Sequence, residues 1–157
     1  MATTDSRVPQ GVPQEWTVNL EHDEGDDTFQ FAKTNFTQTV LASATRSATA
    51  TSSAFVNLAF SGAVFFLNIT SVPGSGSAMV SLVIQGQDPV SLNWAALATG
   101  GSASAVGTTA FTIYPGVTSG AASVPMTLPK KFRVMAAVSA GATSKDVVFS
   151  IGMSFVK

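Results

Sequence analysis

Residues that could act as acids, bases or metal ligands are concentrated in the first 33 positions of this chain. Seven of its nine Asp and Glu residues lie there, and its single histidine, His22, falls within the acidic run EHDEGDD at 21–27. Carboxylate oxygens on a turn around Gly25 would suit Ca²⁺, but the EF-hand ligand spacing is absent. His22 has no partner at the spacing of a zinc site. The pattern favours a solvated or partner-facing acidic surface, and we expect no metal and no cofactor.

Motifs for catalysis are missing from the rest of the sequence. There is no G-x-S-x-G nucleophile motif, and the run at 74–77 lacks the lysine of a phosphate-binding loop. Asp88 and Asp146 would have to form any pair of glycosidase carboxylates, and neither has a supporting acid nearby. The chain has no cysteine, which removes thiolate chemistry and a disulfide framework. We therefore expect a protein that is not an enzyme.

Charge divides the chain into two parts. Residues 1–33 hold seven acids and two bases, a net charge of −5, and residues 34–157 hold six bases and two acids, a net charge of +4. Pro9 and Pro13 lie in a polar stretch without periodicity, which is typical of an extended arm. We predict an acidic N-terminal arm and docking segment at 1–33 and a folded body at 34–157. Charged residues make up 11% of the chain, against about 25% in ordinary soluble domains, and this low share favours a protein that buries surface in an assembly.

Alternation of apolar and polar residues predicts that the body is all-β. The clearest case is 147–155, where apolar residues alternate with Ser and Gly. Two apolar runs within 62–89, joined by a Pro/Gly/Ser turn, predict a central hairpin that seeds the core. Turn signals between the runs predict a single β-sandwich or jelly-roll-like domain of about seven or eight strands. No run reaches the roughly 20 residues of a membrane span, and the N-terminus lacks the apolar stretch of a secretion signal, so we expect cytoplasmic synthesis and no membrane partner.

Charged and aromatic residues outside the predicted core are the candidates for assembly contacts. The one basic cluster, at 130–133, has too few bases and exposed aromatics for nucleic-acid binding. We predict that it faces the acidic segment of a neighbouring subunit; solvated charges at the start of a strand are the alternative. A tryptophan in the arm is a candidate anchor, because aromatic residues are enriched at interface centres. The predicted interface comprises Trp16, Glu21, Asp23, Glu24, Asp26, Asp27, Lys130, Lys131 and Arg133.

Four strand-end motifs give the sequence a resemblance to a known class of proteins. They read NITSVP at 68–73, IQGQDP at 84–89, YPG at 114–116 and LPKKFRV at 128–134. With these motifs in this order, residues 55–155 resemble small virion proteins of tailed bacteriophages. The resemblance implies a head decoration (cement) protein, made in the host cytoplasm, that sits on the capsid exterior and bridges neighbouring capsid subunits. Its implied partners are the major capsid protein and further copies of itself, as a homotrimer.

Two other functions remain open on the sequence. A tail, neck or fibre component of the same virion would have the same composition, and its low copy number per particle would distinguish it. A carbohydrate-binding β-sandwich would present exposed aromatic side chains beside amides in a loop cleft. Its candidate residues are Trp94, Asn93 and Tyr114.

Overall fold

Strands dominate the described residues in the computed structural model, which describes residues 20–23, 28–31, 36–72, 78–139 and 146–157. The chain divides into two compact units, Met1–Thr34 and Asn35–Lys157, and each is described by itself. In the first unit, β1 (Leu20–Asp23) pairs antiparallel with β2 (Thr28–Phe31). The acidic run predicted as a turn therefore begins within a strand.

In the second unit, called the body below, the described residues form ten strands. They are β3 (Thr37–Arg46), β4 (Ala50–Thr51), β5 (Phe55–Val56), β6 (Gly62–Ser71), β7 (Met79–Gln87), β8 (Trp94–Ala103), β9 (Gly107–Ile113), β10 (Ser123–Val124), β11 (Lys131–Ser139) and β12 (Val147–Val156). The all-β prediction is confirmed, since the described residues form no helix. The strands outnumber the predicted seven or eight because β4, β5 and β10 are two residues long, too short for alternation to reveal them. No helix long and apolar enough to cross a membrane occurs in the described ranges.

The body strands form two sheets. One has the order β10-β9-β6-β12-β3, and the other has the order β4-β11-β7-β8 with β5 also paired to β11. The predicted hairpin at 62–89 is wrong, because β6 and β7 lie in different sheets. Each is a central strand: β6 pairs with β12 and β9, and β7 pairs with β11 and β8. Because each of the two strands has a partner on both sides, each lies inside its sheet, and this explains why both runs are so apolar.

One hydrophobic core joins the two sheets. Along β12 every second residue is buried, as predicted, and the same holds for Phe132, Val134 and Ala136 of β11. The Phe132 ring meets the Phe65 ring of β6 edge-to-face, with ring centroids 6.4 Å apart. It also meets the Phe155 ring of β12 at 6.2 Å. Aromatic contacts therefore connect the inner faces of both sheets.

β4 and β5 lie along the same edge of β11. Ala50 opposes Ala136, and Phe55 opposes Phe132. Between them, Ser52 donates its N–H to Val134 O (2.9 Å), and its hydroxyl oxygen accepts the Val134 N–H (3.0 Å). The Ser52 hydroxyl takes the place of a backbone carbonyl as the acceptor. β4 and β5 therefore act as one interrupted edge strand.

Val56, Leu58 and Phe60 alternate in the sequence and predict a longer strand over 56–60, but β5 ends before Asn57. This buried side chain donates to Phe60 O (2.8 Å) and Leu128 O (3.1 Å) and accepts the Phe60 N–H (3.0 Å). An amide supplies both donors and an acceptor, so one side chain satisfies a whole turn. The turn leaves Leu58 70% exposed instead of placing it on a buried face.

β8 is longer than its sequence suggests. The small residues of 99–107 predict a loop, yet β8 continues to Ala103, which opposes Val80 of β7. Small residues such as Gly, Ser and Ala give no alternation to detect, and pairing with a central strand decides their conformation.

Candidate assembly interface

Three connections lie at one end of the body, and we call this region the apolar end. They are residues 57–61, 88–93 and 125–130. A hydrogen bond from Leu128 N–H to Ser61 O (2.9 Å) joins the first and the third. Gly86, which precedes the 88–93 connection, opposes Phe132, which follows the 125–130 connection. The strand pairing therefore brings all three together.

Residues 88–93 form a loop closed by its own hydrogen bonds. The Asp88 carboxylate accepts the Val90 N–H (3.0 Å) and the Ser91 hydroxyl (2.6 Å), and the Asp88 carbonyl accepts the Leu92 N–H (2.9 Å). The Asp88 N–H in turn donates to Asn93 O (2.9 Å). The Ser91 hydroxyl and the Val90 N–H lower the pKa of Asp88 from its ordinary 3.8, because both bind the charged form. The result is a well-ordered loop.

Leu92, near the tip of this loop, has a φ of +60°, the one positive φ of a non-glycine residue within the described ranges. A side chain in this left-handed conformation costs about 1–2 kcal/mol, whereas glycine adopts it freely. The Leu92 side chain is nevertheless 62% exposed, and neighbouring Val90 is 89% exposed. Strained backbone that displays apolar side chains to solvent is typical of a contact site.

Two further exposed apolar side chains, Val56 and Leu58, lie on the opposite side of the same end. β11 and β7 separate β5 from β8, so the two sites are three strand spacings apart, about 15 Å. Four large apolar side chains thus share an area that a partner segment could span.

Lys130 and Lys131 give this end a basic rim. Both are exposed, and Lys131 opposes Val56 in the β11–β5 pair. The three connections hold one acid, Asp88, against Lys130 and the adjoining Lys131. The net charge of this end is therefore positive, which suits an acidic partner.

Arg133, the third basic residue of the predicted cluster, has a different environment. It is half-buried, its guanidinium carbon lies 4.4 Å from the centroid of the Trp94 ring, and its Nε donates to Gln85 Oε1 (2.7 Å). This places Trp94 in a half-buried contact with a cation, not in the core. Arg133 therefore ties β11 to β7 and β8, beside the two exposed lysines.

The acidic half of the predicted interface is described in part. The backbone of Glu21 and Asp23 lies in β1. The remaining predicted residues of the arm, Trp16, Glu24, Asp26 and Asp27, lie outside the described residues. Sequence reasoning missed Val56, Leu58, Val90 and Leu92, since an apolar residue near a strand end carries no sign that it faces solvent.

Other parts of the described surface carry fewer side chains that could act as acids, bases or metal ligands. A shallow depression of about 290 Å³ beside β3, β6 and β12 is lined by Phe66, Gly152, Met153 and hydroxyl or amide side chains, without an acid or base. Within the described ranges, no group of three or more His, Cys, Asp and Glu residues could hold a metal ion. The Tyr114 hydroxyl donates to Lys157 O (3.2 Å) at the end of β9, in the sheet that does not contain Trp94.

Comparison of the chain with protein-family models, with curated proteins and with solved structures finds no match.

Asp88→Ala is expected to loosen the 88–93 loop while the body stays folded. The change removes the acceptor of the Val90 N–H and the Ser91 hydroxyl, so hydrogen exchange at the Val90 and Leu92 amides should become several-fold faster. In the unaltered chain the lowered pKa of Asp88 gives the sign: the contribution of its carboxylate to the protection of these amides is present above pH 3.8 and is lost as the pH falls through the lower folded-state pKa.

Asp146→Ala is the matched control, because Asp146 is also exposed and precedes a strand. It should leave the loop amides unchanged. Equal exchange at Val90 in the Asp88→Ala variant and in the unaltered chain would show that the carboxylate does not order the loop.

Proposed function

We propose that this protein is a non-enzymatic structural protein of a virion, which decorates a phage capsid and stabilises it by bridging neighbouring capsid subunits. Its partners in this proposal are the major capsid protein and further copies of itself, as a homotrimer on the capsid exterior. The resemblance of residues 55–155 to virion proteins of tailed bacteriophages supports it. So does the low share of charged residues in the chain.

The strand order supports a β-sandwich of the jelly-roll type as the scaffold. Counting β4 and β5 as one interrupted strand and leaving aside β10 gives eight strands. One sheet then has the first, eighth, third and sixth strands in order, and the other has the second, seventh, fourth and fifth. This order supports a jelly roll, an architecture found in viral capsid and lectin domains. It narrows the class of protein without assigning a function.

The observation that carries the proposal is the apolar end. Leu92 holds an exposed apolar side chain at a conformational cost, and Val56, Leu58 and Val90 are exposed beside the basic rim. Burial of apolar surface contributes about 25 cal/mol per Å², so these side chains would stabilise an assembly and contribute little to an isolated chain.

Copy number tests this function directly. Quantitative mass spectrometry of purified virions of the phage that encodes the chain should find it in a fixed, high ratio to the major capsid protein. A few copies per particle would instead favour the tail, neck or fibre alternative. Absence from the virion would overturn the proposal.

A further inference from the structure

We infer that the apolar end is the surface through which copies of this protein associate, and that its occupant is the acidic N-terminal segment, residues 1–33, of a second copy. The inference rests on the proposed function, in which copies join into an oligomer. It assigns the receiving surface to Val56, Leu58, Val90, Leu92 and the two exposed lysines.

Charge complementarity is the first argument for this occupant. Residues 1–33 carry a net charge of −5 and residues 34–157 carry +4. At the receiving end, Lys130 and Lys131 are exposed, and together they exceed the single acid of the three connections, Asp88. Complementary charge raises association rates and selects partners, and here both charges belong to the same sequence.

Apolar complementarity is the second argument. In the sequence of the acidic segment, Trp16, Val18 and Leu20 alternate with polar residues. The segment therefore offers large apolar side chains together with carboxylates. The receiving surface offers exposed apolar side chains together with ammonium groups, so the two are chemically matched.

The point where the N-terminal segment joins the body is the third argument. Phe36, the first described residue of the body, accepts the Phe155 N–H at its carbonyl (2.8 Å), and the two rings are 6.0 Å apart. The Phe155 ring also stacks on Phe60, in the 57–61 connection, at 4.7 Å. The body therefore begins at the apolar end. In a closed symmetric oligomer, each copy can then give its segment to a neighbour and receive one in return.

The hydrogen bonds within the 88–93 loop also favour tighter binding of a second copy. Association costs conformational entropy wherever a surface must be ordered on binding. The carboxylate and carbonyl of Asp88 already hold the backbone of residues 90–92. Val90 and Leu92 therefore meet a partner with little further ordering.

The main test measures association of the full chain by sedimentation equilibrium over a range of concentration and salt. The unaltered chain should form an oligomer that weakens with added salt, and the double variant Val90→Ser/Leu92→Gly should associate at least about tenfold more weakly. Glycine relieves the positive φ, so the melting temperature of Leu92→Gly should stay equal or rise. Weaker association then cannot be attributed to unfolding.

A matched control uses an exposed valine at the opposite end of the body. Val106 lies between β8 and β9 and is exposed. Val106→Ser should associate like the unaltered chain. Equal losses for Val106→Ser and for the double variant would overturn the assignment of the surface.

Complementation identifies the occupant. One full-length variant carries Lys130→Glu and Lys131→Glu, and the other replaces the five acids of 21–27 by their amides, at Glu21, Asp23, Glu24, Asp26 and Asp27. Each should fail to associate alone, and a mixture should recover part of the association, because one intact segment can bind one intact surface. Full association of the amide variant alone would contradict the assignment of the acidic segment as the occupant. An unaltered chain that is monomeric would contradict it as well.

These outcomes are separate from those of the proposed function. A protein that is abundant in virions but monomeric in solution would leave the decoration role standing and remove this inference. A self-associating protein that is absent from virions would do the reverse.

Discussion

Phe132→Ala is expected to lower the free energy of unfolding of the body by about 4–5 kcal/mol, the upper part of the range for a buried phenylalanine. The Phe132 side chain is fully buried on β11, between the two sheets. Its ring stacks on Phe55 at 5.4 Å and meets Phe65 and Phe155 edge-to-face at 6.4 and 6.2 Å. Each such pair adds about 0.5–1.5 kcal/mol beyond burial, and the alanine variant loses all three.

Urea unfolding followed by far-ultraviolet circular dichroism measures this effect. Phe66→Ala is the matched control, since Phe66 lies next to Phe65 on β6 but on the exposed outer face. It should change the free energy of unfolding by less than about 1 kcal/mol. Phe132→Leu, which keeps most of the volume, should fall between the two if the alanine variant does not fold. Similar losses for Phe132→Ala and Phe66→Ala would contradict the shared core.

Arg46→Met is expected to lower the free energy of unfolding by about 2–3 kcal/mol. The Arg46 guanidinium donates to three carbonyls, those of Ala42 (2.7 Å), Ala44 (3.2 Å) and Phe149 (2.7 Å). Its central carbon also lies 4.5 Å from the centroid of the buried Phe149 ring. Methionine retains the apolar stem of the side chain and removes every donor.

The reason that Arg46 matters lies in the irregular pairing of β3 with β12. The register shifts twice, between Phe149 and Ile151 and between Ile151 and Gly152. A bulge leaves backbone groups outside the regular ladder, and the guanidinium supplies donors there. β3 is also an edge strand, and an uncovered edge can pair with another chain. Arg46→Met should therefore also increase light scattering on mild heating.

Arg133→Met provides the control for this prediction. Arg133 makes one hydrogen bond and one cation–π contact in the other sheet. Its replacement should cost about 1 kcal/mol and leave aggregation unchanged. Equal stability losses for the two variants, without a difference in scattering, would contradict a special role for Arg46.

Several features of the body follow from the sequence by local rules. Alternation identifies the buried face of β12 and of β11, because side chains point to opposite faces of a strand in turn. The same rule places Lys131 and Arg133 on the face opposite Phe132 and Val134, as the structure has them. The all-β class follows from the absence of a helical period together with frequent turn signals.

Contacts between distant residues decide what the local rules leave open. The high apolar content of β6 and β7 favours a central position for each strand, but both bury residues in the same core, so their sequences cannot reveal that they belong to different sheets. The end of β5 depends on Asn57, whose amide reaches Leu128, 71 positions away.

The acidic run and the basic cluster are readable from the sequence, because charge is a property of each residue by itself. Exposure of Val90 and Leu92 is not, because it depends on a loop conformation set by the carboxylate of Asp88 and on the absence of a covering strand among the described residues. Sequence alone determined the all-β class and the inner faces of β11 and β12 in this protein. The tertiary structure decided which strands pair and which apolar side chains remain in solvent, because both depend on residues far apart in the chain.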